Sequence, residues 1–368
     1  NTNNNLINKV VGKKFNKKFL GVSINSKTIK KNNLFIAIRG KNNDGHKFIK
    51  EACLRGASAC VVSQKNCKIS KNKKIKVQDT YKFLKSLAFQ KRKNSTAKII
   101  AVTGSSGKTS VKDLIENLLK NFGETYFSPK SYNNSFGVPL SLCNLEQSHR
   151  FGVFEIGMSK SGEINTLSQI VRPFIGIVTN IAEAHIENFK NLKQIAKAKG
   201  EIINNIDKEG MLILDRDGKF YSYFSSLAKR KKIRTISVGY HRKANIRVIR
   251  SKSYPQYEKI LIKSLNKQYS INVKNHHIKN ILFAIAVLEI LNLNFEKIKN
   301  KLNELDILKG RGKIIKVKHK NVNFNLIDES YNANPLSMKE SIYKLSKIKI
   351  KSNKYILLGD MLELGQKT

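Results

Sequence analysis

The heptapeptide Thr103-Gly104-Ser105-Ser106-Gly107-Lys108-Thr109 constrains the fold of this chain more than any other stretch. It follows the apolar run Ile99-Ile100-Ala101-Val102 and precedes a helical pattern from about Lys108 to Asn121. A strand, a glycine-containing turn and a helix in that order make a phosphate loop. The glycines let backbone N–H groups turn towards phosphate oxygens, and the helix N-terminus favours negative charge. Lys108 then bridges the β- and γ-phosphates and the Thr109 hydroxyl binds Mg²⁺. The loop is shorter than the usual pattern, because Val102 stands where the first glycine would be. The competing reading, an ordinary Gly-Ser turn, leaves Gly-Lys-Thr at a strand–helix junction unexplained.

The surrounding pattern predicts an α/β chain. Residues 1–78 read as a small mixed domain, with strands at Leu34–Ile38 and Ala59–Ser63, a helix at Phe48–Gly56 and a polar loop at Lys65–Lys76. Residues 79–308 open on a helix at Thr80–Lys93. Apolar strands follow at Phe151–Ile156, Phe174–Thr179, Met211–Leu214, Thr235–Val238 and Ile246–Ile249, and a helix at His276–Leu293. Continuous apolar strands alternating with helices predict a parallel sheet covered on both faces. Residues 309–368 predict strands at Lys313–Lys318, Phe324–Asp328 and Tyr355–Leu358 and a helix at Pro335–Lys347. The chain begins without Met and stops soon after a strand, so both ends are expected to be incomplete.

Composition narrows the function. Hydrophobic residues make up 40% of the 368, enough for packed cores, which excludes a wholly disordered chain. The longest apolar run, Ile281–Leu293, is broken by Glu289 and is shorter than the roughly 18 residues of a membrane helix. Asn1 to Asn5 carry no apolar signal core. Four cysteines do not make a disulfide framework, and Cys53, Cys60 and Cys67 lack metal-ligand spacing, so reduced thiols in a cytoplasmic protein are expected. Lys and Arg outnumber Asp and Glu by 70 to 26, for a net charge of +44. Only 12 of those cations are Arg, and the lysines are scattered. With 11 Asn in the first 50 residues, this reads as compositional drift rather than a nucleic-acid surface.

Eight further residues, in five places along the chain, could carry chemistry, each place with a plainer reading beside it. Glu155 ends an apolar strand, where a carboxylate meets either a nucleotide-bound Mg²⁺ or solvent. His185 lies in the loop after Phe174–Thr179 and is either a surface residue or a neighbour of the phosphate site. Lys197 and Lys199 sit on the next helix, and nothing local distinguishes either from a solvated charge. His276, His277 and Asn280 open a helix as a capping cluster or as contacts to a base. Arg311, between Gly310 and Gly312, is a turn residue or a hinge cation that reaches a phosphate.

In their order along the chain these motifs resemble the Mur ligase family, the ATP-dependent amide ligases of bacterial cell-wall synthesis. The resemblance covers essentially the whole chain. It is most specific at Ser131-Tyr132-Asn133-Asn134-Ser135-Phe136-Gly137-Val138-Pro139-Leu140, Glu155-Ile156-Gly157-Met158 through Gly162-Glu163-Ile164, Ser330 to Pro335, and Gly359-Asp360-Met361-Leu362-Glu363-Leu364-Gly365. It implies three domains: a UDP-sugar-peptide-binding domain (1–78), a central ATP-binding domain (79–308) and a Rossmann-like ligase domain (309–368, truncated). It implies that D-alanyl-D-alanine is joined to UDP-N-acetylmuramoyl-tripeptide, with ATP, two Mg²⁺ ions and a CO₂-derived carbamate on Lys199, in a cytoplasmic monomer.

The site residues follow from the same resemblance. ATP falls to Gly104, Ser105, Ser106, Gly107, Lys108, Thr109, Ser110, Asn280, Arg311 and Glu329, the last standing where the family has Asp. The metals fall to Thr109, Glu155, His185 and carbamylated Lys199; Lys108, Lys199 and His185 are the catalytic set. The sugar-nucleotide falls to Ser26, Asp44, Gly45 and His46, and its peptide to Asn133 and Asn134. Lys27 replaces the family's Arg and loses its planar fork, and His277 replaces an Asn. Competing readings are another ligase of this fold, such as the third-residue-adding enzyme or folylpolyglutamate synthase, and an ATP-binding protein made inactive by truncation.

Overall fold

A computed structural model of the protein describes residues 2–12, 18–40, 42–64, 67, 69–184, 186–254, 257–265, 267–274, 276–305, 307–320, 322–348, 350 and 353–361. After helix α1 (Thr2–Val11), four short strands form an all-parallel sheet in chain order: β1 (Gly21–Ser23), β2 (Asn33–Ile36), β3 (Ala59–Val62) and β4 (Lys74–Lys76). Helix α2 (Ile49–Leu54) covers one face, burying Phe35, Cys60 and Val62 against Ile49 and Ala52. Leu34, Ile36 and Val61 point the other way, into the main core with helix α3 (Thr80–Lys93). Strand β4 lies in the stretch expected to be a loop. Ile75 is its one apolar residue, too weak a pattern to read; its pairing with Val61 across the ladder makes the strand.

The central sheet has nine strands, ordered β13-β12-β11-β10-β9-β8-β5-β7-β6. They are β5 (Lys98–Thr103), β6 (Thr125–Phe127), β7 (Phe151–Glu155), β8 (Ile175–Val178), β9 (Met211–Asp215), β10 (Arg234–Gly239), β11 (Ile246–Ser253), β12 (Glu258–Lys263) and β13 (Gln268–Val273). From β6 to β11 the pairing is parallel, as expected. Strands β12 and β13 add an antiparallel edge not anticipated from the sequence, although their alternating burial is the period-2 signal of a half-covered hairpin.

Alternate residues of β5 feed two cores. Ile99 and Ala101 pack towards α3, α5 (Gly137–Cys143), α6 (Glu163–Val171), α7 (Leu192–Gly200) and α8 (Tyr221–Arg230). Ile100 and Val102 pack towards α4 (Lys108–Leu119) and α9 (Ile278–Ile290). Helix α9 is buried from Ile281 to Leu288, which explains the long apolar run. Among the described residues no helix is long and apolar enough to cross a membrane. The four cysteines are free.

Beyond residue 309 a hairpin of β14 (Lys313–His319) and β15 (Val322–Asp328) leads to α10 (Pro335–Lys347), capped by Asn334 in a reciprocal box with Ser337. The strand expected at Tyr355–Leu358 is absent: the segment is irregular and Leu357 is 100% exposed. No described strand pairs with it, and a strand exists only through its ladder.

Candidate active site

The site grows from the order of the central sheet. From β5 the chain runs to the β6–β7 side and then returns to β8 on the other side, so β5 is the switch point where a parallel sheet opens a crevice at its C-terminal edge. The loop leaving β5 there is Gly104–Gly107. Gly104 has φ +150, and a Cβ on it would overlap the Thr179 hydroxyl. Gly107, at φ +76, caps α4. The residues after β8 hold this loop. Ser105 N donates to Asn180 O (3.0 Å), and Ser106 N donates to Asn180 Oδ1 (2.9 Å). Thr179 Oγ1 donates to Ser106 O (2.6 Å), and Ser105 Oγ both donates to Ala182 O and accepts from Ala182 N. Thr179 and Asn180 were not singled out in the sequence. They sit in the loop that draws attention to His185, and only the fold reveals their hold on the phosphate loop. Lys108 Nζ bonds within the loop, to Gly104 O (3.0 Å).

Thr109 and Glu155, both expected at a metal, lie side by side at the sheet edge. Thr109 Oγ1 donates to Glu155 Oε2 (2.8 Å), and Asn133 Nδ2 donates to Oε1 (2.7 Å). Glu155 is 1% exposed, so the sheet edge presents a carboxylate shielded from solvent beside a hydroxyl. Arg311 arrives from the third unit, where Nη2 donates to Thr109 Oγ1 (3.0 Å). Its guanidinium lies 4.1 Å from the centre of the Tyr331 ring, and the Tyr331 hydroxyl bonds Ser131 Oγ. The Gly310 backbone leaves room for Tyr331, since a Cβ there would lie 2.8 Å from Tyr331 Cβ.

A cavity of about 1290 Å³ runs over this cluster, walled by both the central sheet and the third unit. Ser110, Asn134, Asn280 and Glu329 line it as well. Asn134 Oδ1 accepts from Phe136 N and Gly137 N just ahead of α5. Asn280 Oδ1 faces the phosphate loop, 3.8 Å from where a Gly107 Cβ would stand. Next to it, Lys279 Nζ bonds Asp215 (2.7 Å) and Asp217 (3.2 Å), an ion cluster at the cavity wall that sequence reading missed. Burial, reinforced by the charges of Lys344 and Lys279, lowers the His277 imidazole to about 4, so it is neutral at pH 7.

Lys199 is 1% exposed at the end of α7 and bonds to no described residue. Burial, aided by the charge of Lys108, drives its amine well below the usual lysine range. Of the three lysines on that helix, Lys193, Lys197 and Lys199, only Lys199 is buried. His185 lies outside the described residues.

Ser26, Asp44, Gly45 and His46 lie away from this cavity, around the first sheet. Ser26 Oγ donates to Glu51 Oε2 (2.7 Å). His46 Nε2 accepts from Ser63 N (3.0 Å), which leaves Nδ1–H to donate to Asp44 Oδ1 (2.6 Å). Burial opposes charge on Asp44, but the bonds from the His46 backbone and ring outweigh it and hold the carboxyl below its usual range. Gly45 allows close approach, since a Cβ would lie 2.7 Å from Ile38 O.

Residues 102–288 match the model of the Mur ligase middle domain, and residues 18–92 match that of the Mur ligase family catalytic domain. The UDP-N-acetylmuramoyl-tripeptide–D-alanyl-D-alanine ligase of Rickettsia prowazekii is 36% identical over 348 residues, covering 94% of this chain and 76% of the relative. That of Buchnera aphidicola from Baizongia pistaciae is 37% identical over 341 residues, covering 90% and 72%. Among solved structures, MurF from Acinetobacter baumannii superposes with a TM-score of 0.85 at 26% identity, covering 99% of this chain and 80% of that one. MurF ligase from Thermotoga maritima in complex with ADP gives 0.81 at 26%, covering 96% and 80%. With its phosphate loop, buried Glu155 and reaching Arg311 set on this fold, the chain belongs to the Mur ligase family.

Proposed function

We propose that the protein is an ATP-dependent, ADP-forming amide ligase that joins D-alanyl-D-alanine to UDP-N-acetylmuramoyl-tripeptide. That is the last cytoplasmic step of peptidoglycan precursor synthesis. One observation carries the reading: relatives named for this reaction align along 90–94% of the chain and 72–76% of their own length. The T. maritima relative's ADP supports a nucleotide in the same crevice. We assign residues 1–78 to the sugar-nucleotide, 79–308 to ATP, and 309–368 to the unit that closes over them, in a monomer that works where its substrates are made.

The chemistry runs in two transfers. The terminal carboxylate of the tripeptide attacks the γ-phosphorus, ADP leaves, and an acyl phosphate forms. The amine of D-alanyl-D-alanine then attacks the acyl carbon, and the tetrahedral intermediate expels inorganic phosphate. The loop amides, Lys108 and Arg311 stabilise the charge on the transferring group. Asn280 faces the base and Glu329 the ribose, while Asn133 and Asn134 face the peptide. Ser26, Asp44, Gly45 and His46 hold the uridine end. Thr109 and Glu155 offer the hard oxygens a Mg²⁺ ion needs, and would hold it there to neutralise phosphate charge. Burial favours the uncharged amine of Lys199, the form that takes up CO₂, and its carbamate with His185 would hold a second ion.

Phosphate release from ATP tests the reading, with UDP-N-acetylmuramoyl-tripeptide and D-alanyl-D-alanine each present or omitted. Release that needs both is expected. Release with another amine overturns the substrate, and none at all overturns the ligase.

A further inference from the structure

Lys112 lies one turn beyond Thr109 on α4 and is 3% exposed. Its ammonium has no carboxylate within ion-pair distance among the described residues. Nζ donates instead to two carbonyls of one turn, Ser128 O (2.6 Å) and Lys130 O (2.9 Å), and lies 5.9 Å from the centre of the Phe127 ring. The carboxylates of Glu155, Glu116 and Asp113 favour its charge from beyond contact, but a buried cation with no direct ion pair still lowers stability, and an apolar side chain of similar volume is often better tolerated. Packing therefore does not account for a lysine here.

The turn it holds is tied to the site. Ser128 Oγ accepts from Glu155 N (3.2 Å), so the residue whose carbonyl Lys112 grips also fixes the Glu155 backbone. Lys130 takes φ +46, a left-handed conformation uncommon for a residue other than glycine. Three residues on, Asn133 bonds the Glu155 carboxylate and accepts from Gly157 N (2.8 Å).

We propose that Lys112 is a positioning residue: by gripping the carbonyls of Ser128 and Lys130 it sets the shape of segment 128–134, which aims Asn133 at Glu155 and so tunes how the site takes magnesium with its nucleotide. This rests on the ligase reading only for the identity of the ligand.

The test uses Lys112→Met, which keeps length and bulk without the donors. Three measurements are made on the whole protein: urea unfolding, hydrogen exchange of the amides in 128–134, and Mg²⁺ dependence of binding a fluorescent ATP analogue. Unfolding stability should hold or rise. Exchange in the segment should speed up, and half-maximal binding should need about ten-fold more Mg²⁺, the scale for residues that orient metal ligands. Unchanged exchange, or binding lost only in step with folding, overturns the proposal. Asn133→Ala provides a second route should Lys112→Met fold poorly. It should shift the Mg²⁺ dependence similarly, and the double variant should shift it no further; additive shifts overturn the relay. Wild-type protein that binds nucleotide but forms no amide overturns the ligase reading alone.

Discussion

Gly104→Ala tests whether the phosphate loop is held by the strand beside it. A Cβ at residue 104 would overlap the Thr179 hydroxyl and stand 3.1 Å from Thr179 Cβ and 3.2 Å from Asn180 N. The backbone there sits at φ +150, and a non-glycine residue in such a region costs about 1–3 kcal/mol. Thr179 can rotate away only by giving up its bond to Ser106 O (2.6 Å), about 1 kcal/mol more. The sum is roughly 2–4 kcal/mol, a large part of the ~5–15 kcal/mol that holds a typical domain together. Thr179→Ala alone forfeits only the hydrogen bond, about 1 kcal/mol. In the double variant the overlap is gone and that bond has already been lost. The pair should therefore cost no more than Gly104→Ala alone, a coupling of about 1 kcal/mol. Urea unfolding of the four proteins gives the cycle, and titration with a fluorescent ATP analogue shows whether the loop still binds. A loss under about 1 kcal/mol for Gly104→Ala, or strict additivity in the double variant, refutes this account of the loop.

Glu155→Gln keeps the shape but sets an amide N–H₂ against either Thr109 or Asn133; binding of Mg²⁺–nucleotide should fall at least about ten-fold while metal-free nucleotide binding changes little, as calorimetry would show. Arg311→Lys keeps charge but loses the planar fork that lies on Tyr331 and reaches Thr109, so kcat should fall more than stability in steady-state assays. Lys199 binds its proton less readily folded than unfolded. Between its lowered folded value and the ordinary value of about 10.4 the unfolded chain holds the extra proton, so stability rises with pH across that window and levels off above it. In CO₂-free buffer Lys199→Met should flatten that rise in a plot of Tm against pH; an unchanged slope would mean the amine stays charged.

The sequence by itself determined the central architecture. Apolar runs such as Ile99–Val102 have one use in a chain of this kind, strands covered on both faces, and Gly-Ser-Ser-Gly-Lys-Thr between strand and helix admits one loop shape. It also marked Glu155 and Arg311, because an acid ending an apolar strand and an Arg between glycines are locally conspicuous. Tertiary structure decided what those residues touch. Thr109 meets Glu155 across 46 residues and Arg311 across 202, and no local pattern encodes such pairings. The resemblance singles out Lys199 over Lys197, but only the fold shows that Lys199 alone of the two is buried, since helical position does not say which side is covered. The same holds for β4, a strand made by its partner rather than by its residues, and for the Tyr355–Leu358 run, which has strand composition but no neighbouring ladder among the described residues. Propensity is local, whereas burial and pairing are set by what the rest of the chain brings alongside.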